Sequence, residues 1–135
     1  STSHHVVPVS TPGPAGETLA WYQCTIKGGR EARDLDVIQL AVAVEALGAG
    51  ELLLNCIDQD GTKKGFDTDL ISAVKKSVSI PVIASSGAGS ADHFVTVFQA
   101  TGAEAALAAG IFHRREVPIE EVKKTLGESG VPVRQ

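Results

Sequence analysis

The sequence predicts an α/β protein built on a parallel sheet with crossover helices, and three observations lead there. A strand-like apolar run followed by a helical pattern occurs four times, at intervals of about 24 to 31 residues, close to the span of a βαβ unit. The runs are continuously apolar rather than alternating, as expected of parallel strands covered on both faces. The glycines and notable polar residues fall where strands end, at Lys27–Arg30, Asp58–Gly61, Ser85–Gly89 and Ala109–His113. In βα architectures that is the end where chemistry sits.

Ser1–Gly16 is rich in Ser, Thr, Pro and Gly and has neither periodicity, so it reads as an irregular arm ahead of a unit of four strand–helix repeats over 17–135. His4 and His5 are adjacent, but no third ligand is close in sequence, and a solvated tail explains them better than a metal site. Leu19–Ile26 reads as a strand with Lys27-Gly28-Gly29-Arg30 as its flexible exit. From Asp34, the apolar residues Leu35, Ile38, Ala41, Val42, Val44 and Leu47 keep helical spacing until Gly48. Glu51–Ile57 is the second strand, and Asp67 and Thr68 open a helix carrying Leu70, Ile71, Val74 and Val78. Ile80–Ser85 is the third strand, Ala91–Ala100 its helix, Ala103–Ala108 the fourth strand, and Pro118–Leu126 the last helix, with proline at a favourable starting position.

Composition narrows the function classes. The chain has 135 residues, 43% hydrophobic and 21% charged, with a net charge of −4. These values fit a globular domain with a real core and give nucleic-acid binding no electrostatic support. No apolar run reaches the roughly 20 residues needed to span a bilayer, and no secretory signal opens the chain. The reading is intracellular, with no membrane and no nucleic-acid partner. Cys24 and Cys56 lie in predicted strands and read as reduced, buried thiols. The absence of methionine and the start at Ser1 read as a piece of a larger product.

The stretch Ile80–Gly89 is the most informative. A short strand with Pro81 near its entry runs into Ser85-Ser86-Gly87-Ala88-Gly89, and Ser90 opens a helix. Glycines permit close backbone approach, and amides at a helix start favour an anion, above all a phosphate. A turn requirement alone explains such glycines equally well, but their coincidence with the other strand-end loops favours the phosphate reading.

Four blocks in order carry a resemblance: Trp21-Tyr22-Gln23-Cys24-Thr25-Ile26-Lys27-Gly28-Gly29-Arg30-Glu31, Gly48-Ala49-Gly50-Glu51-Leu52-Leu53-Leu54-Asn55-Cys56-Ile57-Asp58-Gln59-Asp60-Gly61, Ile83-Ala84-Ser85-Ser86-Gly87-Ala88-Gly89, and Ala108-Ala109-Gly110-Ile111-Phe112-His113. They resemble the cyclase family of imidazole glycerol phosphate synthases, in the fused glutaminase–cyclase form of fungi and plants. The likeness covers roughly Gly13–Arg134. It implies the carboxyl-terminal half of a TIM (βα)8 barrel, strands five to eight, with parallel strands and outer helices, in histidine biosynthesis. It further implies a phosphorylated imidazole-nucleotide substrate, ammonia from a glutaminase partner, and no cofactor or metal. The location it implies is cytoplasmic, or the plastid in a plant.

By the same resemblance the substrate phosphate falls on Asp60, Gly61, Gly87, Ala109 and Gly110. Lys27, Gly28, Gly29 and Arg30 form a mobile loop over the site, and Glu51 gates the ammonia entrance. Exposed loop charges and a solvated strand-start carboxylate are the plainer readings. Asn55 and Ser85 either line the pocket or pack the barrel interior. Asp58 and Asp60 share a side if the strand continues, which makes them either an acid–base pair or, with Asp60 as the auxiliary catalytic candidate, a pocket residue beside a loop-holding neighbour. His113 is a base or a structural helix residue.

Ring closure needs one group to give a proton and another to take one. The family's two catalytic aspartates have no match here, and no Asp precedes Asp34. The chain alone is therefore expected to be inactive. Its open sheet edges call for the missing amino-terminal half-barrel or a second copy of the chain. The alternatives are a non-catalytic, self-associating phosphate-binding module, or a sugar-phosphate isomerase of a related barrel type, which the first block disfavours.

Overall fold

The computed structural model describes residues 7–8, 19–20 and 22–134. His4, His5 and the expected arm lie outside the described residues, save Val7 and Pro8. Strand β1 (Val7–Pro8) pairs antiparallel with β2 (Leu19–Ala20). Next come β3 (Gln23–Ile26), β4 (Glu31–Asp36), α1 (Val37–Ala46), β5 (Leu52–Asn55), α2 (Thr68–Ser77), β6 (Val82–Ser85), α3 (Ala91–Thr101), β7 (Ala105–Leu107), α4 (Gly110–His113) and α5 (Ile119–Glu128).

The parallel sheet runs β5-β6-β7, with Leu53 opposite Ile83 and Ile83 opposite Ala105, and with Asn55 opposite Ser85 and Ser85 opposite Leu107. Three of the four expected strand–helix units build it. The first differs: β3 folds back on β4 as an antiparallel hairpin. Lys27, Gly28 and Gly29 all have left-handed φ (55°, 67° and 86°), which reverses the chain at once. A parallel crossover needs about a dozen residues or more, and no such length is available before Glu31. The same hairpin holds Asp34 and Leu35 in β4, so the helix expected from Asp34 starts at Val37.

The starts of α1 and α2 are set by capping side chains. The Asp36 carboxylate accepts from the Ile38 amide (2.7 Å), while the Gln39 side chain accepts from the Asp36 amide (3.3 Å), a reciprocal capping box. The Val37 amide donates to the Tyr22 carbonyl (2.9 Å), tying the hairpin base to α1. Buried Asp67 caps α2 by accepting from the Leu70 amide (3.0 Å). Helix α3 ends at Gly102, whose φ of 70° lets its amide reach back to the Phe98 carbonyl.

The core lies between the sheet and its helices. Val82 and Ala84 are fully covered on the outward face of β6, against Ile71 and Val74 of α2 and Phe94 and Val97 of α3. Each of the buried valines and Ile71 contributes about 1.5–3 kcal/mol by leaving water. Phe94 meets Phe66 edge-on at 5.4 Å and stacks with Phe112 at 6.1 Å. The inward face of the sheet is open: Leu53 is 58% and Leu107 39% exposed, the positions that fill the interior of a closed barrel.

At the strand starts, Glu45 in α1 accepts from the amides of Ser79 (2.8 Å) and Ile80 (3.1 Å) and from the Ser79 hydroxyl, pinning the entry to β6. The Ser79 hydroxyl and amide hold its carboxyl below the ordinary glutamate range. A depressed folded pKa means that stability is present above the unfolded value, near 4.5, and is lost as pH falls through the folded one. Glu45→Ala is therefore expected to lower the urea midpoint at pH 7, with the gap to the parent closing below pH 4.5; a gap independent of pH would contradict this.

Candidate functional site

The carboxyl ends of the parallel strands feed three loops that pack on one another. The Gly65 amide donates to the Gly87 carbonyl (2.8 Å), joining the loop after β5 to the loop after β6. A Cβ on Gly87 would stand 2.0 Å from the Gly65 carbonyl oxygen, and one on Gly89 would stand 2.3 Å from the Lys63 carbonyl oxygen. Both glycines are thus required by loop-on-loop contact, a reason distinct from the close ligand approach expected from sequence. The Gly89 amide also donates to His93 Nδ1 (3.0 Å), whose ring lies against Gly65. The Cβ face of Gly110, the first residue of α4, is met by the Arg114 guanidinium at 2.8 Å.

Asn55 and Ser85 come together. Asn55 Oδ1, at the exit of β5, accepts from the Ser85 hydroxyl (2.9 Å) and the Ser86 hydroxyl (2.5 Å), satisfying two buried serines at the exit of β6. Ser86 has a φ of 79°, uncommon for a residue with a side chain, and its bond to Asn55 helps hold that geometry. With its oxygen so engaged, the Asn55 amide nitrogen is left to donate.

The hairpin tip belongs to the same end of the molecule. Gly28 and Gly29 line a cavity of about 510 Å³ together with Thr25, Asn55, Ile57 and Asp60. A Cβ on Gly29 would touch Ile57 at 3.2 Å, so the tip sits directly over the β5 exit. Lys27 pairs with Glu31 (2.6 Å), and Arg30 Nε donates to the Lys27 carbonyl (2.8 Å), bracing the turn from within.

Asp58 and Asp60 do not share a side. The chain leaves strand geometry after Asn55 and turns through 57–62, so alternation lapses. Asp60 lines the cavity under the hairpin, whereas Asp58 lines another, of about 430 Å³, with Tyr22, Cys24, Cys56 and Asp67. Burial pushes the Cys24 thiol up to about 11, helped by Asp36, and burial likewise pushes Cys56 up to about 11 with Asp67 adding to it. Burial, then Asp67 and Asp69, push the Tyr22 hydroxyl up to about 12. All three stay protonated at neutral pH, which makes them poor nucleophiles or bases. Cys56 donates to Asp67 (3.5 Å) and is buried, while Cys24 is half-buried; both are free thiols.

Glu51 is exposed just ahead of β5, at the opposite end of the sheet. His113, exposed at the end of α4, lines neither cavity. Ala109 is exposed and immediately precedes α4. Lys63, Gly65, His93 and Glu116 escape the sequence reading. The only signal for any of them is the second glycine after Asp60, and Gly65 indeed has a left-handed φ of 108°.

Parallel βα units whose exit loops gather at the strand carboxyl ends have the form of a segment of a (βα)8 barrel. The pattern of the family described as histidine biosynthesis protein, a TIM-barrel family, matches residues 6–118. The chain belongs to that family. It is 62% identical over 131 residues to the chloroplastic imidazole glycerol phosphate synthase hisHF of Arabidopsis thaliana, covering 97% of this chain and 22% of that protein. It is 60% identical over 133 residues to the hisHF synthase of Schizosaccharomyces pombe, covering 98% of this chain and 25% of that protein. Subunit HisF of the same synthase from Natronomonas pharaonis is 54% identical over 114 residues, or 84% of this chain and 42% of the subunit. The chain thus spans about a quarter of the fused relatives and under half of the single subunit.

Two glycines of like conformation separate packing from strain. Gly61 (φ 72°) has nothing near its Cβ position, so Gly61→Ala should cost only the left-handed penalty, about 1–2 kcal/mol. Gly87→Ala adds a backbone collision and should cost about 3 kcal/mol or more, read as a much larger drop in the urea midpoint. Equal losses would mean that the loop contact is easily relaxed.

Proposed function

We propose that this chain is the carboxyl-terminal part of the cyclase of an imidazole glycerol phosphate synthase and supplies one of the two phosphate sites for its substrate. The complete cyclase joins ammonia to a ribulosyl-type aminoimidazole carboxamide nucleotide, closes the imidazole ring, and releases imidazole glycerol phosphate and an aminoimidazole carboxamide ribotide. The observation that carries the reading is the convergence of three strand-exit loops at one end of a chain 62% identical to a named synthase.

In this reading the backbone amides of Gly61, Gly87, Ala109 and Gly110 receive the phosphate, with Asp60 lining the pocket under the hairpin. Asn55, oriented by Ser85 and Ser86, donates to a substrate acceptor. The tip Lys27–Arg30 acts as the loop over the site, supported by Gly28 and Gly29 lining the same cavity as Asp60. Glu51, at the far end, faces the ammonia entrance and the glutaminase partner. No cofactor or metal is called for, and the setting is the cytoplasm, or the plastid in a plant. Among the described residues, no helix is long and apolar enough to cross a membrane.

The acid–base pair is not supplied by this segment. Asp58 and Asp60 line different cavities, and the thiols and phenol nearby stay protonated. In this reading one catalytic aspartate comes from the missing amino-terminal half-barrel and the other from the end of strand five, just ahead of the segment that begins here. The second reading, a self-associating phosphate-binding module, is favoured by the open inward face at Leu53 and Leu107, which a second copy would also cover.

Supplying the remaining barrel strands as a second polypeptide, with ammonium and the two-phosphate substrate, tests the proposal. Imidazole glycerol phosphate should form in the joined protein and not with this chain alone. A joined, folded protein that binds neither substrate nor inorganic phosphate would overturn it, and a stable self-dimer that refuses the second polypeptide would favour the module.

A further inference from the structure

Outside the cavities lies a charge cluster that no expectation anticipated. Lys63 Nζ reaches Glu116 Oε1 at 2.8 Å across 53 positions of sequence, and Arg114 Nε donates to the same oxygen at 2.7 Å. One carboxylate oxygen therefore joins a cation from the loop after β5 to a cation from the segment after β7. The Lys63 and Arg114 hydrogen bonds hold the Glu116 carboxyl below the ordinary glutamate range, so it is anionic at neutral pH.

The backbone around each member is fixed. Lys63 has a φ of 57°, and its carbonyl and Cβ press on Gly89 in the loop after β6. The Glu116 amide donates to the Ile111 carbonyl (2.8 Å), and the Arg114 amide donates to the Gly110 carbonyl (2.9 Å). Arg114 also lays its guanidinium over Gly110. Lys63 thus packs on the middle loop through its main chain and is bonded to the segment after β7 through its ammonium. Its position is two residues from Gly61, and its partner's neighbour covers Gly110.

We propose that Lys63, Glu116 and Arg114 form an ionic brace that sets the spacing between the loop after β5 and the segment after β7, with Glu116 as a positioning residue for phosphate binding. This inference rests on the phosphate reading above and adds the element that holds the site's outer walls in register. Within the sheet the strands fix only where the loops begin. The hydrogen bond from Gly65 to Gly87 joins the first two loops, and the brace ties the first to the third. The three side chains are one-third to one-half exposed, so solvent screens each ion pair and its effect on stability is small.

The test uses the complete barrel, assembled from this chain and its missing strands. Glu116→Gln keeps the shape and removes the charge. Its Kd for inorganic phosphate and its KM for the two-phosphate substrate are expected to rise about three- to tenfold, with kcat within twofold. Lys63→Met should act similarly, Lys63→Arg should restore most of the affinity, and the Lys63→Met/Glu116→Gln pair should be little worse than either single change. If the parent protein binds phosphate and folded Glu116→Gln binds it equally well, the brace is wrong while the functional reading stands. Additive effects of the two substitutions would also overturn it. A parent protein that does not bind phosphate overturns the functional reading itself.

Discussion

Parallel register in the ladder Leu52–Asn55, Val82–Ser85 and Ala105–Leu107 is the constraint from which the rest of the molecule follows. Parallel neighbours cannot be joined by a tight turn, so each exit must lead into a helix that returns across the outer face. All exits then lie at one end, and residues at the same register level face each other. Asn55 meets Ser85 because the two are partners in the ladder, and the Asn55–serine hydrogen bonds follow from that alignment. Helix packing on the outward side, through Val82 and Ala84 against α2 and α3, holds the ladder in place.

The same ladder explains what is incomplete. A three-stranded parallel sheet covered on one face leaves its other face to be filled, and here that face carries Leu53 and Leu107 with substantial exposure. Strands that run apolar up to a single polar residue at their exits, Asn55 and Ser85, are written for burial on both sides. The hairpin β3–β4 covers the β5 exit rather than adding a parallel strand, so it cannot complete the interior. An interior that must be supplied by further strands accords with a chain spanning a quarter of its fused relatives.

Much of this is legible in the sequence because the signals are local. Asp67 before Thr68, Gly102 after Thr101 and Pro118 before Ile119 mark helix ends through their own backbone and side-chain chemistry. The runs around Leu53, Ile83 and Ala106 are too short and too apolar to be amphipathic helices. The first unit misleads because an apolar aromatic run states only that a segment is extended. Whether it pairs parallel or antiparallel depends on the left-handed turn at Lys27–Gly29 and on the length of the return path. Asp58 and Asp60 mislead for a related reason, since alternation holds only while the strand lasts, and β5 ends at Asn55.

What stays out of reach of sequence is contact between segments far apart in the chain. Gly87 and Gly89 announce that a side chain is unwelcome without saying what takes its place, and the answer is the backbone of Gly65 and Lys63, more than twenty residues earlier. The distinction matters for function. A glycine kept for a ligand leaves an open surface, whereas one kept for a neighbouring loop makes that loop part of the site's wall. Here the wall is built from the β5 exit loop seated on the β6 exit loop, so Asp60 and Gly61 are placed by contacts made several residues later, at Lys63 and Gly65. The site's geometry therefore depends on loop-to-loop packing as much as on the strands that deliver the loops.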